Sequence, residues 1–179
     1  MGQQTEIAIP VGEVDVHGTL TLPEDANALV VFAHGSGSSR FSPRNRYVAK
    51  IFNASKIGTL LFDLLTQQEE EIDLATAEYR FNIDLLAERL VGVTEWLRSN
   101  PETKRFKLGY FGASTGAAAA LIAAAKLPRA VAAVVSRGGR PDLAGDYLAG
   151  VKAPTLLLVG GWDEEVIELN RQAQRQMTN

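Results

Sequence analysis

The run Leu108-Gly-Tyr-Phe-Gly-Ala-Ser-Thr-Gly116 restricts the fold more than any other part of this chain: a short apolar stretch enters Gly112-Ala113-Ser114-Thr115-Gly116 and continues into an Ala-rich segment. A strand that turns directly into a helix forces the residue at the apex into an unfavourable backbone geometry, and small flanking residues let neighbouring backbone come close. A serine in the middle of such a Gly-x-Ser-x-Gly turn stands exposed above a sheet, the placement of a nucleophile. A serine hydroxyl needs an adjacent base to attack, and the two histidines, His17 and His34, both lie far upstream.

The remainder of the chain supplies the sheet. Residues 5–9 and 14–22, separated by Pro10-Val-Gly-Glu13, predict an antiparallel hairpin. Residues 28–33, 59–62, 106–111, 130–135 and 155–159 are nearly continuous apolar runs, as expected of strands buried on both faces of a parallel sheet. Helices are expected between them over residues 43–55, 78–98, 115–127 and 164–177. Ser42 and Pro43 start the first, Leu86, Leu90, Val93 and Leu97 form one apolar stripe on the second, and Pro128 stops the third. Residues 66–77, with Glu69-Glu70-Glu71, read as a solvated acidic loop or helix start. Alternating strands and helices imply right-handed βαβ units, hence a three-layer α/β/α sandwich with a mostly parallel sheet and an N-terminal antiparallel hairpin.

With 179 residues, 46% hydrophobic and 22% charged, the chain suits one domain. A net charge of −3 gives no basic footprint for nucleic acid. The absence of cysteine excludes disulfides and thiolate metal sites, and two histidines make a zinc site improbable, so no metal and no cofactor are expected. The N-terminus lacks the basic and apolar regions of a signal peptide, and the most apolar window, residues 116–125, is about half the ~20 residues of a membrane span, so a cytoplasmic protein with no membrane contact is expected.

Ligands of an open α/β sheet sit beyond the carboxyl ends of its strands. There the chain places His34-Gly-Ser-Gly-Ser-Ser-Arg40, Gly112–Gly116, Val135-Ser-Arg-Gly-Gly-Arg140 and Gly160-Gly-Trp-Asp163. The His34-Gly35 turn, the Gly-x-Ser-x-Gly turn and the Gly160–Asp163 turn occur in the order of an α/β-hydrolase, and the chain resembles the dienelactone hydrolase family over essentially its whole length. Residues 135–144 and 34–45 further resemble small hydrolase-like proteins that occur alone or fused to phosphoribosyltransferase domains.

The resemblance implies roles by position. Ser114 is the nucleophile, the backbone N–H groups of Ser36 and Thr115 form the oxyanion hole, and Asp163 is the triad acid; the same aspartate would serve equally well as the N-cap of the helix beginning at Glu164. His34 matches a position whose side chain is structural in the family. The family places its histidine after one further strand, yet no histidine lies among residues 164–179. Three explanations are open: a domain over residues 1–179 that is C-terminally incomplete, lacking its last strand and helix; a partner chain that donates the base; or a non-catalytic relative that binds small molecules or regulates. Arg40, Arg137 and Arg140 lie at strand ends and suit an anionic substrate group, with Arg44 better read as a solvated helix-start residue. The expected substrate is therefore a small ester, lactone or thioester, with an anionic one preferred. An unprotected strand at residues 155–159 would also invite self-association through the sheet edge.

Overall fold

The computed structural model describes residues 2–178. Seven strands run β1 (Gln3–Val11), β2 (Val14–Leu22), β3 (Ala28–Ala33), β4 (Gly58–Phe62), β5 (Lys107–Ala113), β6 (Val131–Arg137) and β7 (Thr155–Leu158). Five α-helices intervene: α1 (Pro43–Ala54), α2 (Gln67–Thr76), α3 (Ile83–Ser99), α4 (Thr115–Lys126) and α5 (Glu164–Gln176). The strands form one sheet in the order β1-β2-β4-β3-β5-β6-β7. The hairpin β1–β2 turns at Gly12, at φ +61°, and joins β4 antiparallel, whereas β3 to β7 are parallel. This is the expected mixed, mostly parallel three-layer sandwich.

The local chemistry of the elements is largely as expected. Ser42 caps α1 through its hydroxyl, with Pro43 in the first turn where a missing N–H costs nothing. Residues 66–77 take the helical alternative: the Thr66 hydroxyl accepts the Glu69 N–H and the Glu69 carboxylate accepts the Thr66 N–H, a capping box that starts α2. The helix expected from residue 78 begins instead at Ile83, capped by Asn82. Residues 79 and 80 lie outside it, their N–H groups donating to the Asp73 carboxylate. An unexpected 3₁₀ segment over Pro141–Gly150, broken at Gly145 (φ +51°), follows β6.

Two apolar layers sandwich the sheet. The larger joins Leu86, Leu90, Val93 and Leu97 of α3 to α4 and to Ala173 of α5. The alanines of α4 are buried all along the helix, their small bulk letting it lie close to the sheet and to α3. The smaller layer, under α1, is Phe32, Ala49, Leu61 and Phe111, with Phe52 completing an aromatic trio whose ring centroids lie 5.1 to 6.3 Å apart. Tyr110 is buried in the larger layer with its hydroxyl 2.7 Å from that of Thr94, which satisfies the one polar group the ring brings inside.

Candidate active site

Ser114 occupies the β5–α4 junction at φ +51° and ψ −125°, a left-handed conformation that costs a non-glycine residue of the order of 1–3 kcal/mol. The flanking glycines explain how the strain is tolerated. A Cβ on Gly112 would stand 2.5 Å from the Ala117 Cα, and one on Gly116 would collide with the carbonyl oxygens of Ala33 and His34. Gly35 belongs to the same contact, since a Cβ there would reach within 2.9 Å of the Ser114 Cβ. The Ser114 carbonyl accepts the N–H groups of Ala117 and Arg140, each at 3.1 Å, which ties the turn to the segment after β6. The Ser114 side chain makes no capping bond to its own helix.

Ser36 and Thr115 meet beside this turn. The Ser36 N–H donates to the Thr115 Oγ1 at 3.1 Å, the two hydroxyls lie 2.9 Å apart, and the Ser36 hydroxyl donates to the Arg80 carbonyl at 3.2 Å. The Ser36 N–H is thus engaged by a side chain, and an incoming oxygen has to displace the Thr115 hydroxyl to receive it. Beyond Ser36 opens a cavity of about 190 Å³ lined by the 34–39 loop with Leu64, Leu65, Leu74, Leu86 and Arg80. Gly35 both lines it and abuts Ser114, which is not among its lining residues.

Sequence reasoning missed Arg80 and Asp73, which shape that cavity. The Asp73 carboxylate, buried on α2, accepts the Tyr79 N–H at 2.8 Å, the Arg80 N–H at 2.9 Å and the Arg80 Nε at 2.7 Å. Burial alone would raise its pKa, but the hydrogen bonds from Arg80 and Tyr79 outweigh it and hold the carboxyl below its ordinary value. No local motif marks this pair; only an acid buried on an otherwise polar helix betrays it.

Neither histidine is placed to activate Ser114. His34 is buried, and both ring nitrogens are occupied: Nδ1 lies 3.0 Å from the Gly35 carbonyl and Nε2 accepts the Leu64 N–H at 3.0 Å. That pattern assigns the proton to Nδ1. Burial pushes its pKa below the usual 6.5, so the ring is a neutral brace between the β3 and β4 loops. His17 is exposed on β2, three strand spacings from β5, about 14 Å in the plane of the sheet.

The remaining predicted residues disperse. Asp163 is exposed and caps α5, its carboxylate accepting the Val166 N–H at 3.3 Å, beside the fully exposed Trp162. Arg40 pairs with Asp63 and lies 3.6 Å from Glu6. Arg140 grips Asp142 with Nε and Nη2 at 2.9 and 2.8 Å. Arg137 is apart from both, its Nη2 donating to the Asn45 Oδ1 at 3.2 Å and its guanidinium lying 5.9 Å from the Phe111 ring centroid. The three arginines therefore do not share one partner or one pocket wall. Among the described residues there is no cluster of three or more His, Cys, Asp or Glu suited to a metal ion, and no helix long and apolar enough to cross a membrane.

The fold recurs in known proteins. A dienelactone hydrolase from Anabaena variabilis is 59% identical and superposes with a TM-score of 0.98, over 99% of this chain and 82% of that one. An esterase from Pyrococcus furiosus shares the fold at 18% identity, with a TM-score of 0.74 over 99% of this chain and 79% of its own. Proteins of two Mycobacterium tuberculosis strains, provisionally named phosphoribosyl transferases, are 57% identical over 169 residues. That match covers 94% of this chain and 37% of theirs, so the chain spans little more than a third of the length of these curated relatives. Residues 52–179 match the dienelactone hydrolase family as such, and together with the Anabaena relative this shows that the chain belongs to the dienelactone hydrolase family.

Proposed function

We propose that this chain is a serine-hydrolase domain that cleaves small ester, lactone or thioester bonds through Ser114. The observation that carries the reading is the strained Ser114 turn, held at φ +51° by glycine contacts that no other side chain would permit. The Ser114 oxygen attacks the acyl carbon, its proton passes to a base, and the alcohol or thiol leaves carrying that proton. Water then attacks the acyl-enzyme, releases the acid and returns the proton to the serine. The N–H groups of Ser36 and Thr115 are the oxyanion donors, with the Thr115 hydroxyl moving aside. Oriented donors of this kind are worth about 3–4 kcal/mol each. Asp163 is the triad acid of this reading, and because neither His17 nor His34 is placed to serve as its histidine, the chain by itself turns over slowly. The hydrolase name of the Anabaena relative supports the same reading.

Intact-mass spectrometry after exposure to a fluorophosphonate tests it. The expected result is slow addition of a single adduct, abolished by Ser114→Ala. Equal labelling of both proteins overturns the nucleophile assignment, and no labelling of either over days favours a binding role for the same site.

A further inference from the structure

The charges around the cavity beyond Ser36 cancel or turn negative. Among the described residues, its lining carries the carboxylates of Asp63, Glu70 and Asp73 against the guanidinium of Arg80. Arg40 neutralises Asp63, and Arg80 commits its Nε and Nη2 to the carboxylate and the carbonyl of Asp73. His34, at the same wall, is kept neutral by burial. Glu70 is therefore left as the net charge, and an anionic group entering the cavity meets repulsion.

The rest of the wall is aliphatic. Leu64 and Leu86 are buried behind the cavity, whereas Leu74, on the mostly polar helix α2, is 75% exposed. A leucine that open to water gains from any apolar group that covers it. The wall carrying it is already in place, because the ion pairs Asp73–Arg80 and Glu69–Arg89 fasten α2 to the loop before α3 and to α3 itself. Size sets a further limit. An aliphatic protein cavity of about 150 Å³ holds a benzene ring, so the volume of about 190 Å³ here takes a phenyl ring or a chain of about six carbons.

We propose that this cavity selects an uncharged, apolar group of the substrate, a phenyl ring or a short alkyl chain, with Leu74 as its specificity-determining side chain. Neutral aryl-alkyl or alkyl esters are then favoured over the anionic ones that arginines at strand ends suggest. Gly35 both lines the cavity and abuts Ser114, and Ser36 at the same wall is an oxyanion donor of the hydrolase reading above, on which the assignment to a substrate rests. Capture of the apolar group itself does not depend on Ser114 chemistry.

The test titrates the full chain with phenylacetamide, an unreactive neutral amide, and separately with acetamide and with succinamate, following leucine methyl resonances by NMR. Phenylacetamide is expected to saturate, to shift the methyls of Leu74 and Leu86, and to bind about tenfold or more tightly than either of the others. Leu74→Ser should weaken it several-fold, and Leu86→Phe, which fills the space, should weaken it further. Ile51→Ser, on α1 across the sheet, should leave it unchanged. Because Leu74 is exposed, Leu74→Ser keeps the core intact and decides the question even where Leu86→Phe does not fold. Failure of phenylacetamide to saturate, succinamate binding as tightly, or equal phenylacetamide binding by Leu74→Ser overturns the proposal. Fluorophosphonate labelling reads Ser114 separately, so either conclusion can fall without the other.

Discussion

On the α3 side of the sheet, one apolar layer runs without a break from Ile9 in β1 to Ala173 in α5, whereas on the α1 side the buried cluster is Phe32, Ala49, Leu61 and Phe111 alone. The same strands serve both faces, so the difference lies in what covers them. Beyond α1, the register of β6 and β7 sets Leu156 beside Val135 and Leu158 beside Arg137, and the two leucines are 54% and 44% exposed. The covered face carries the larger buried core; the thinly covered one carries Arg137, held by the neutral Asn45, and the exposed leucines of β7. A face that is not needed for the core is free to hold a charge, because its groups still reach water.

The sharpest way to break this comparison is to remove equal side chains from the two faces. Leu90→Ala, in the fully buried stripe of α3, should cost about 2–5 kcal/mol in urea unfolding, while Leu156→Ser should stay within about 0.5 kcal/mol. Equal losses would mean that the α1 face is as well packed as the other. The Leu156→Ser protein also tests the expected self-association through β7: sedimentation that depends on concentration in the wild type should lose that dependence in the variant.

A smaller effect separates the glycines. Gly116→Ala drives a methyl group into the backbone of Ala33 and His34 and should destabilise by about 1–3 kcal/mol, lowering the thermal midpoint. Gly161→Ala faces open space and should be close to neutral. If both were neutral, the contact at the Ser114 turn would not restrict residue choice.

The mildest effect is a pH dependence. Because the folded state lowers the His34 pKa, the unfolded chain binds the proton more readily. The stability this neutral ring contributes is fully present above its unfolded pKa near 6.5 and is lost as the pH falls toward its lower folded value. His34→Asn should flatten that part of the curve in denaturant titrations between pH 7 and 5. Asp73, also lowered, acts further toward acid: its contribution is present above the unfolded carboxylate pKa and is lost as the pH falls through the folded one.

The order of strands and helices, the Ser114 turn and its glycines were legible in the sequence, because each follows from contacts between residues close along the chain: apolar runs, caps, and a turn too tight for a side chain. The departures share one cause. Before helix α3 the N–H groups of residues 79 and 80 bind Asp73 on the preceding helix, and the Ser36 N–H is engaged because Thr115, 79 residues away, reaches it. Arg40 is neutralised by Asp63, and Arg137 is left with Asn45, 92 residues distant. Strand-end position alone made Arg40, Arg137 and Arg140 look equivalent. The chain by itself determined which groups arrive at the carboxyl ends of the strands, since periodicity and steric limits act locally. Which of those groups remain available for a ligand was decided by tertiary structure alone, because hydrogen bonds and ion pairs are settled by distances in space between residues that no sequence spacing relates.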